Sequence, residues 1–269
     1  MNDAVTRSAQ LLDMPRLLVL MPLTDADRAA LAEHFDVLYA PDAQQRAQAL
    51  VQQGGTVRAV LTNGTTGLTS GEIDRMPALE LAGALGAGYE NLALDHARSR
   101  GIALCNGAGV NADCVADHAM ALLLAAVRSV PQFDAACRAG VWRDALPMRP
   151  TLTGKRLGMI GYGQIGAKIA RRAAGFEMAI GYHNRTPREG VSARYFDTPL
   201  APAHCTVGGA GLDVYEGEPT PPQALVTLEN IVLTPHVAGK SPDVRAASIR
   251  HFIANATRCF AGAPLLTPL

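Results

Sequence analysis

The chain has few of the features that mark nucleic-acid-binding or membrane proteins. Its 24 Lys and Arg balance its 24 Asp and Glu, and no basic tract indicates a nucleic-acid partner. The longest apolar run, residues 119–127, is less than half of the roughly 20 residues that a membrane span needs. The early apolar run of residues 17–23 contains Pro22 and lacks a small-residue cleavage site, which argues against a signal peptide. We therefore expect a soluble chain without a membrane or nucleic-acid partner.

The chain also lacks paired cysteines. Its five cysteines are odd in number and none belongs to a CxxC pair, which argues against a disulfide framework and against a zinc site. We expect reduced thiols, a cytoplasmic location and no metal. The length of 269 residues, with 26 Gly and 48% hydrophobic residues, is typical of one or two α/β domains rich in tight turns.

Strand and helix patterns alternate along the first part of the chain. The predicted strands cover residues 16–22, 37–40, 57–63, 79–85 and 101–106, and the predicted helices between them cover 25–34, 41–53 and 94–100. Such alternation predicts a parallel sheet with helical crossovers. The turn at residues 63–67 then lies at the carboxyl end of its strand, where open α/β sheets place ligands. An apolar helix over residues 115–130 follows, and its breadth predicts burial between domains or subunits.

A glycine-rich turn lies between a predicted strand, residues 155–160, and a predicted helix, residues 164–174. In such a unit the first glycine permits the turn, the second admits a pyrophosphate and the third allows close helix–strand packing. The helix N-terminus adds N–H donors. The motif predicts a dinucleotide site, although a tight turn without a ligand is the alternative. The residues of this predicted site are Gly161, Tyr162, Gly163, Gln164, Ile165 and Gly166.

The end of the next predicted strand, residues 178–187, indicates the type of dinucleotide. Proteins that prefer NAD usually have an acidic residue here, and this chain has Asn184, Arg185 and Thr186 instead. An arginine with neutral donors suits the 2′-phosphate of NADP. We predict NADP as the cofactor, bound here by these three residues, with NAD as the second choice. The alternative is a solvated turn with an incidental arginine.

A carboxylate and a histidine follow two later strands. Glu218 comes after the predicted strand 210–215, and His236 comes after the predicted strand 230–235. A carboxylate bonded to one imidazole nitrogen fixes the tautomer and stabilises the imidazolium. The other nitrogen can then give a proton to a carbonyl oxygen as hydride reaches the carbon. A lone histidine at a strand end is more often structural, but the nearby carboxylate favours proton transfer.

Three segments of the chain, GYGQIG, GAGLDVYEGEP and LENIVLTPHVAG, resemble the D-isomer-specific 2-hydroxyacid dehydrogenase family, particularly its glyoxylate and hydroxypyruvate reductases. The likeness covers nearly the whole chain, although Asp117 occupies a position where the family usually has Glu. It implies an α/β fold of two Rossmann-like domains with parallel sheets. The cofactor domain, residues 103–239, would be inserted in the substrate domain, residues 1–102 and 240–269.

The resemblance also implies the roles of individual residues. His236 would be the general acid/base and Glu218 its partner. The positions implied for the substrate carboxylate are Ala87, Gly88, Asn63 and Gly64, and those implied for the nicotinamide are Asp213 and Gly239. For Asp213 the alternative is a hydrogen bond from a strand end to a neighbouring turn.

The implied activity is NADP-preferring reduction of a small 2-oxo acid, such as glyoxylate or hydroxypyruvate, to a D-2-hydroxy acid. The implied assembly is a homodimer joined through the helix at residues 115–130. Trp142 lies where related reductases often insert an aromatic ring across the dimer, and a core position is the alternative.

Two strand–helix units of the family have no counterpart in this chain. One of them normally carries an arginine that binds the substrate carboxylate, and no arginine occurs here from Tyr195 to Asp243. Residues 197–208 are too few for two crossovers, since each needs at least about 10–12 residues. We interpret the join at Cys205–Thr206 as an internal deletion. A natural deletion, an error in gene prediction and residues omitted from the chain all account for such a join.

The deletion has consequences for structure and function. The strand before the glycine turn would lose its neighbours, exposing backbone edges and apolar surface. The substrate would lose a charged hydrogen bond worth about 1.5–3 kcal/mol. The alternative function is therefore a catalytically impaired nucleotide-binding or interaction protein on the same fold.

Overall fold

A computed structural model describes residues 14–198, 209–219 and 223–269. The chain forms two compact units, which are Met1–Asn111 with Pro242–Leu269 (unit 1) and Ala112–Ser241 (unit 2). Because the chain leaves unit 1 after Asn111 and returns to it at Pro242, unit 2 is an insertion in unit 1. The predicted α/β class, with parallel sheets and one unit inserted in the other, is confirmed.

Unit 1 contains a five-stranded parallel sheet in the order β2-β1-β3-β4-β5. Its strands are β1 Arg16–Val19, β2 Asp36–Tyr39, β3 Val57–Thr62, β4 Leu81–Ala84 and β5 Ala103–Cys105. Its α-helices are α1 Asp25–Ala32, α2 Ala43–Gln53, α3 Ser70–Asp74, α4 Leu94–Ser99 and the C-terminal α9 Pro242–Phe260. Because all the strands are parallel, the loops that follow β3 and β4 leave the sheet at the same edge.

Both faces of this sheet are buried. Leu18 and Val60 belong to the apolar cluster on one face, and Leu17 and Leu81 belong to the cluster on the other. Successive strand residues point to opposite faces, so a strand covered on both sides needs an unbroken apolar run. The side chain of Phe252, on α9, fills the second face. The apolar run in β1 thus has the structural role that its sequence predicts.

The described residues of unit 2 form two parallel sheets. The first has the order β6-β7-β8 and consists of β6 Arg156–Ile160, β7 Ala179–His183 and β8 Arg194–Phe196. The second pairs β9 Ala210–Leu212 with β10 Ile231–Leu233. The α-helices of the unit are α5 Ala112–Arg128, α6 Val130–Arg138, α7 Gln164–Ala174 and α8 Gln223–Val226. Met120 of α5 and Ala173 of α7 lie in one apolar cluster, so these helices pack together.

The strand before the glycine turn lies at the edge of its sheet. Within the described ranges, β6 pairs with β7 alone, and Ile160 at its end is 71% exposed. The first strand of a doubly wound nucleotide-binding sheet ordinarily has neighbours on both sides and is covered by helices. An open side on β6 among the described residues is consistent with the predicted deletion, which stays a prediction. The join at Cys205–Thr206 itself lies outside the described residues.

The long apolar helix ends earlier than its pattern predicts. α5 stops at Arg128, Ser129 adopts a left-handed φ of 52°, and a second helix begins at Val130 with a proline in its first turn. In the described part of the chain, no single helix has the length and apolarity of a membrane span. α5 and α6 meet those two criteria only when they are joined across a 59° bend.

Candidate active site

Glu218 and His236 are brought together in unit 2. One Glu218 oxygen, Oε2, lies 2.7 Å from His236 Nδ1, and the other accepts the Tyr215 N–H at 3.0 Å. The hydrogen bond from His236, followed by the one from Tyr215, lowers the pKa of the Glu218 carboxyl. Glu218 is therefore ionised at neutral pH and accepts the Nδ1 proton. This leaves His236 Nε2 to exchange a proton with another molecule, and the His236 side chain is 59% exposed.

His236 has an uncommon backbone conformation. Its φ is 52°, in the left-handed region that side chains other than glycine rarely adopt. Its N–H donates to the Thr234 carbonyl at 3.1 Å, and Lys240 N–H donates to the Val237 carbonyl at 2.8 Å. Such a conformation costs about 1–3 kcal/mol and persists only where the surroundings hold it.

Asp213 stabilises much of the backbone around His236. Its Oδ1 accepts the Thr234 hydroxyl at 2.6 Å and the Val237 N–H at 2.9 Å, and its Oδ2 accepts the Ala238 N–H at 2.9 Å. Burial would raise the pKa of Asp213, but these three hydrogen bonds outweigh it and lower the pKa overall. The alternative considered for Asp213, a bond from a strand end to a neighbouring turn, is thus what its carboxylate forms. A position beside the nicotinamide stays a prediction.

The glycine turn has an open face. Gly161 adopts a φ of 95° and Gly163 is the residue before α7. A Cβ on Gly166 would lie 2.5 Å from the Gly161 carbonyl oxygen, so only glycine fits there. A Cβ on Gly161 or Gly163 would meet no heavy atom within 4 Å. Gly163 has no side chain to cap the start of this 11-residue helix, and the space beside both glycines is open, which is an arrangement that a pyrophosphate fits.

The loop after β7 is tied to this turn by side chains. Asn184 Oδ1 accepts the Tyr162 N–H at 2.7 Å, and the Arg188 guanidinium donates to the Tyr162 carbonyl at 2.9 Å. Arg185 and Thr186 are exposed. Sequence reasoning did not single out Arg188. The available signal was a second cation three residues beyond Arg185, and its partner is a backbone oxygen that the sequence does not reveal.

The two predicted substrate loops touch each other in unit 1. A Cβ on Gly64 would lie 2.7 Å from the backbone carbon of Gly88. Asn63 Oδ1 accepts the Thr66 N–H at 2.7 Å and so shapes the first loop. The structure thus places the loops after β3 and β4 side by side, as their common sheet edge predicts.

A buried asparagine orders the second loop. Asn106 is 5% exposed, and its Nδ2 donates to the Ala87 carbonyl at 2.7 Å. The exposed Glu90 side chain lies over Gly88, since a Cβ there would be 2.7 Å from Glu90 Oε2. An anion that binds at Gly88 would therefore require Glu90 to move aside.

The remaining predicted positions lie at the start of α7 and in the turn after His236. Gln164 and Ile165 open α7, and Gly239 lies in the turn after His236, where its carbonyl accepts the Ser241 N–H at 3.1 Å. Across the described ranges, no group of three or more His, Cys, Asp or Glu side chains is placed to hold a metal ion. The predicted substrate loops belong to unit 1, and the glycine turn, Glu218 and His236 belong to unit 2.

A family match and the relatives of this chain indicate the same protein family. The family described as "D-isomer specific 2-hydroxyacid dehydrogenase, NAD binding domain" matches residues 120–204 and 200–238. Glyoxylate/hydroxypyruvate reductase A of Arabidopsis thaliana is 27% identical over 307 residues, covering 94% of this chain and 98% of the relative. Glyoxylate reductase of Thermococcus litoralis is 30% identical over 259 residues, covering 73% of this chain and 78% of the relative.

Solved structures agree with this family and bear on the deletion. The NADPH-dependent glyoxylate/hydroxypyruvate reductase of Sinorhizobium meliloti, solved with citrate, is 30% identical with a TM-score of 0.83, covering 95% of this chain and 98% of that one. The 307-residue alignment with the Arabidopsis protein is longer than the 269 residues of this chain, so that relative carries residues that this chain lacks. The two matched family segments meet at residues 200–204, beside the predicted join. The chain belongs to the D-isomer-specific 2-hydroxyacid dehydrogenases, a family of NAD(P)-dependent oxidoreductases.

Proposed function

We propose that the protein reduces a small 2-oxo acid, with glyoxylate and hydroxypyruvate as the first candidates, to a D-2-hydroxy acid. The observation that supports this most is the 2.7 Å contact between Glu218 and His236, because carbonyl reduction needs an oriented proton donor. Relatives named glyoxylate/hydroxypyruvate reductase point to the same substrates.

In this proposal the bound nicotinamide supplies the hydride. His236 Nε2 gives a proton to the carbonyl oxygen. The proton on Nδ1 stays there and remains hydrogen-bonded to Glu218 throughout. The anionic Glu218 stabilises the imidazolium before the transfer and keeps the ring oriented after it. In the reverse reaction the neutral His236 takes the proton of the hydroxyl through the same nitrogen.

Unit 1 would bind the substrate and unit 2 the cofactor. The backbone N–H groups of Ala87 and Gly88 would hold the carboxylate, with Asn63 and Gly64 closing over it. The contact between these two loops supports this, because it brings their backbones to one place. Anion binding by backbone N–H groups suits a chain without an arginine between Tyr195 and Asp243.

NADP would be the preferred cofactor. The pyrophosphate would lie on the turn from Gly161 to Gly166, and Arg185 and Thr186 would bind the 2′-phosphate. Their exposure and the absence of an acidic residue at the end of β7 support this choice. Asn184 and Arg188 would order the turn itself through their bonds to Tyr162.

The protein would also act as a homodimer. Trp142 is 71% exposed and Met148 is 99% exposed, so the alternative that places Trp142 in the core is wrong. The exposure of the Trp142 ring leaves it accessible to a partner, which is the role that the resemblance implies for it. A second copy of the chain would cover the segment that contains Trp142 and Met148.

A second function, nucleotide binding without turnover, is favoured by two observations. Among the described residues β6 has a neighbour on one side only, and no arginine occurs from Tyr195 to Asp243. The deciding experiment follows NADPH consumption with glyoxylate, hydroxypyruvate and glycolaldehyde, which lacks the carboxylate. Reduction of the two acids but not of glycolaldehyde would support the reductase. NADPH binding without consumption of any of the three would instead support the second function.

A further inference from the structure

One histidine outside the catalytic pair reaches the turn that carries His236. His118 lies on α5, and its Nε2 is 2.9 Å from the Thr234 hydroxyl and 3.6 Å from Asp213 Oδ1. Its side chain is 23% exposed and that of Asp213 is 9% exposed. The contact is therefore largely shielded from water, which makes it stronger than the same contact on the surface.

The Thr234 hydroxyl fixes the direction of the hydrogen bonds. It has a single proton, and it lies 2.6 Å from Asp213 Oδ1 but 3.4 Å from the Leu212 carbonyl. The shorter contact, to an anionic oxygen, is the stronger one. The hydroxyl therefore donates to Asp213 and accepts from His118, which places a proton on Nε2 of His118.

The network continues to the backbone of His236. Asp213 accepts the N–H groups of Val237 and Ala238, the two residues that follow His236. These bonds define the path of the chain just after the left-handed φ of His236. Loss of the His118 donor would leave the Thr234 hydroxyl free to turn away from Asp213. The Asp213 carboxylate would then be held by the Val237 and Ala238 N–H groups without the Thr234 hydroxyl, so the turn would be less firmly fixed.

We propose that His118 is a positioning residue, which acts through Thr234 and Asp213 to hold His236 in the conformation that meets Glu218. The kinetic consequence of this inference rests on the proposed function. Its structural consequence does not, because the position of the His236 ring can be observed in a chain that has no turnover.

Two substitutions of His118 and one control distinguish a role in positioning His236 from a role in packing. His118→Leu removes the donor and keeps an apolar body of similar size, whereas His118→Gln returns an amide N–H near the former Nε2. Asp117→Asn is the control, because Asp117 is next to His118 on α5 and its Oδ1 accepts from Arg172 at 2.5 Å. We expect His118→Leu to lower kcat for glyoxylate about tenfold with the Kd of NADPH unchanged. His118→Gln should recover most of that loss, and Asp117→Asn should leave kcat unchanged.

The direct measurement is imidazole NMR of the same full-length proteins, with the His236 signals assigned by their loss in His236→Gln. In His118→Leu we expect the Nδ1 proton shared with Glu218 to broaden or disappear, and the Val237 and Ala238 amides to exchange about tenfold faster. Unchanged signals and exchange rates in His118→Leu would overturn the inference. If the wild-type protein has no turnover and His118→Leu still changes these signals, the inference is supported and the proposed function fails.

Discussion

At the scale of the residue, one charged side chain is expected to decide between the two cofactors. Arg185 is exposed, whereas Arg188 is bonded to the Tyr162 carbonyl of the glycine turn. If Arg185 binds the 2′-phosphate, Arg185→Ala removes charged hydrogen bonds worth about 1.5–3 kcal/mol from NADPH alone, or roughly 10–100-fold in affinity. Fluorescence titration with NADPH and NADH measures this.

Arg188→Ala is the matched control for that titration. Because Arg188 supports the turn that both cofactors would share, its loss should weaken NADPH and NADH by similar factors. Equal losses for both cofactors in Arg185→Ala would remove the basis for NADP preference.

Some hydrogen-bond partners of individual residues could not be predicted from the sequence. Glu218 and His236 were predicted as a pair, since both follow strands and an acid beside a histidine has a chemical meaning. The contact of His118 with Thr234 joins residues 116 positions apart, and no spacing in the sequence links the two. Asn184 was predicted as a cofactor ligand, but its Oδ1 is bonded to the Tyr162 N–H. Such partners are set by the folded backbone and not by residue type.

At the scale of the element, the glycine turn offers a matched pair of substitutions. Gly163→Ala adds a Cβ to open space, so we expect stability within about 1 kcal/mol of wild type. The same Cβ would occupy the space proposed for the pyrophosphate and should weaken NADPH binding at least about tenfold, a loss of roughly 1.4 kcal/mol.

Gly166→Ala should behave differently, because its Cβ would meet the Gly161 carbonyl at 2.5 Å and displace the turn. We expect it to lower both stability and NADPH binding. Urea unfolding and NADPH titration measure the two quantities separately. Wild-type NADPH affinity in Gly163→Ala would contradict the placement of the pyrophosphate.

Helix α3 of unit 1 supplies a prediction about pH. Thr69 and Glu72 form a capping box, and Glu72 Oε1 also lies 3.0 Å from Arg46 Nη1. Burial would raise the pKa of Glu72, but the bonds from Thr69 and Arg46 lower it below its ordinary value of 4.5. A carboxyl with a lowered folded-state pKa stabilises the fold above its unfolded pKa, and this contribution is lost as pH falls through the folded value.

We therefore expect Glu72→Gln to be less stable than wild type at pH 7. The difference between the two proteins should shrink as the pH drops below about 4.5. Thermal unfolding of both proteins from pH 7 to pH 3 measures it. A difference that stays constant over this range would show that the charge of Glu72 does not support α3.

The ends of the helices and strands could be predicted from the sequence only where a local pattern marks them. α7 begins and ends where predicted, at Gln164 and Ala174, because the glycine turn precedes it and Gly175 follows it. α3 was not predicted, although its Thr69-x-x-Glu72 capping box was a usable signal. β9 ends at Leu212, earlier than predicted, because Asp213 turns to accept from the loop around His236 and the Tyr215 N–H donates to Glu218.

At the scale of the whole molecule, the described residues of the two units differ in how completely their sheets are paired and covered. Unit 1 has a continuous sheet with two buried faces. The described part of unit 2 has two short sheets, and there β6 is an edge strand that ends in the exposed Ile160. The glycine turn and the Glu218–His236 pair nevertheless keep their local geometry, since each is held by bonds near it in the fold. If the predicted deletion is real, we expect it to affect the sheet more than the catalytic pair.

The most direct test of the account is the single-turnover rate of hydride transfer from bound NADPH to glyoxylate in wild type, His236→Ala and Glu218→Gln. We predict measurable transfer in wild type and a loss of about 10²–10⁴-fold in His236→Ala, with a smaller loss in Glu218→Gln and an unchanged Kd for NADPH in both variants. Equal rates in wild type and His236→Ala would contradict the account. So would a wild-type protein that binds NADPH and transfers no hydride.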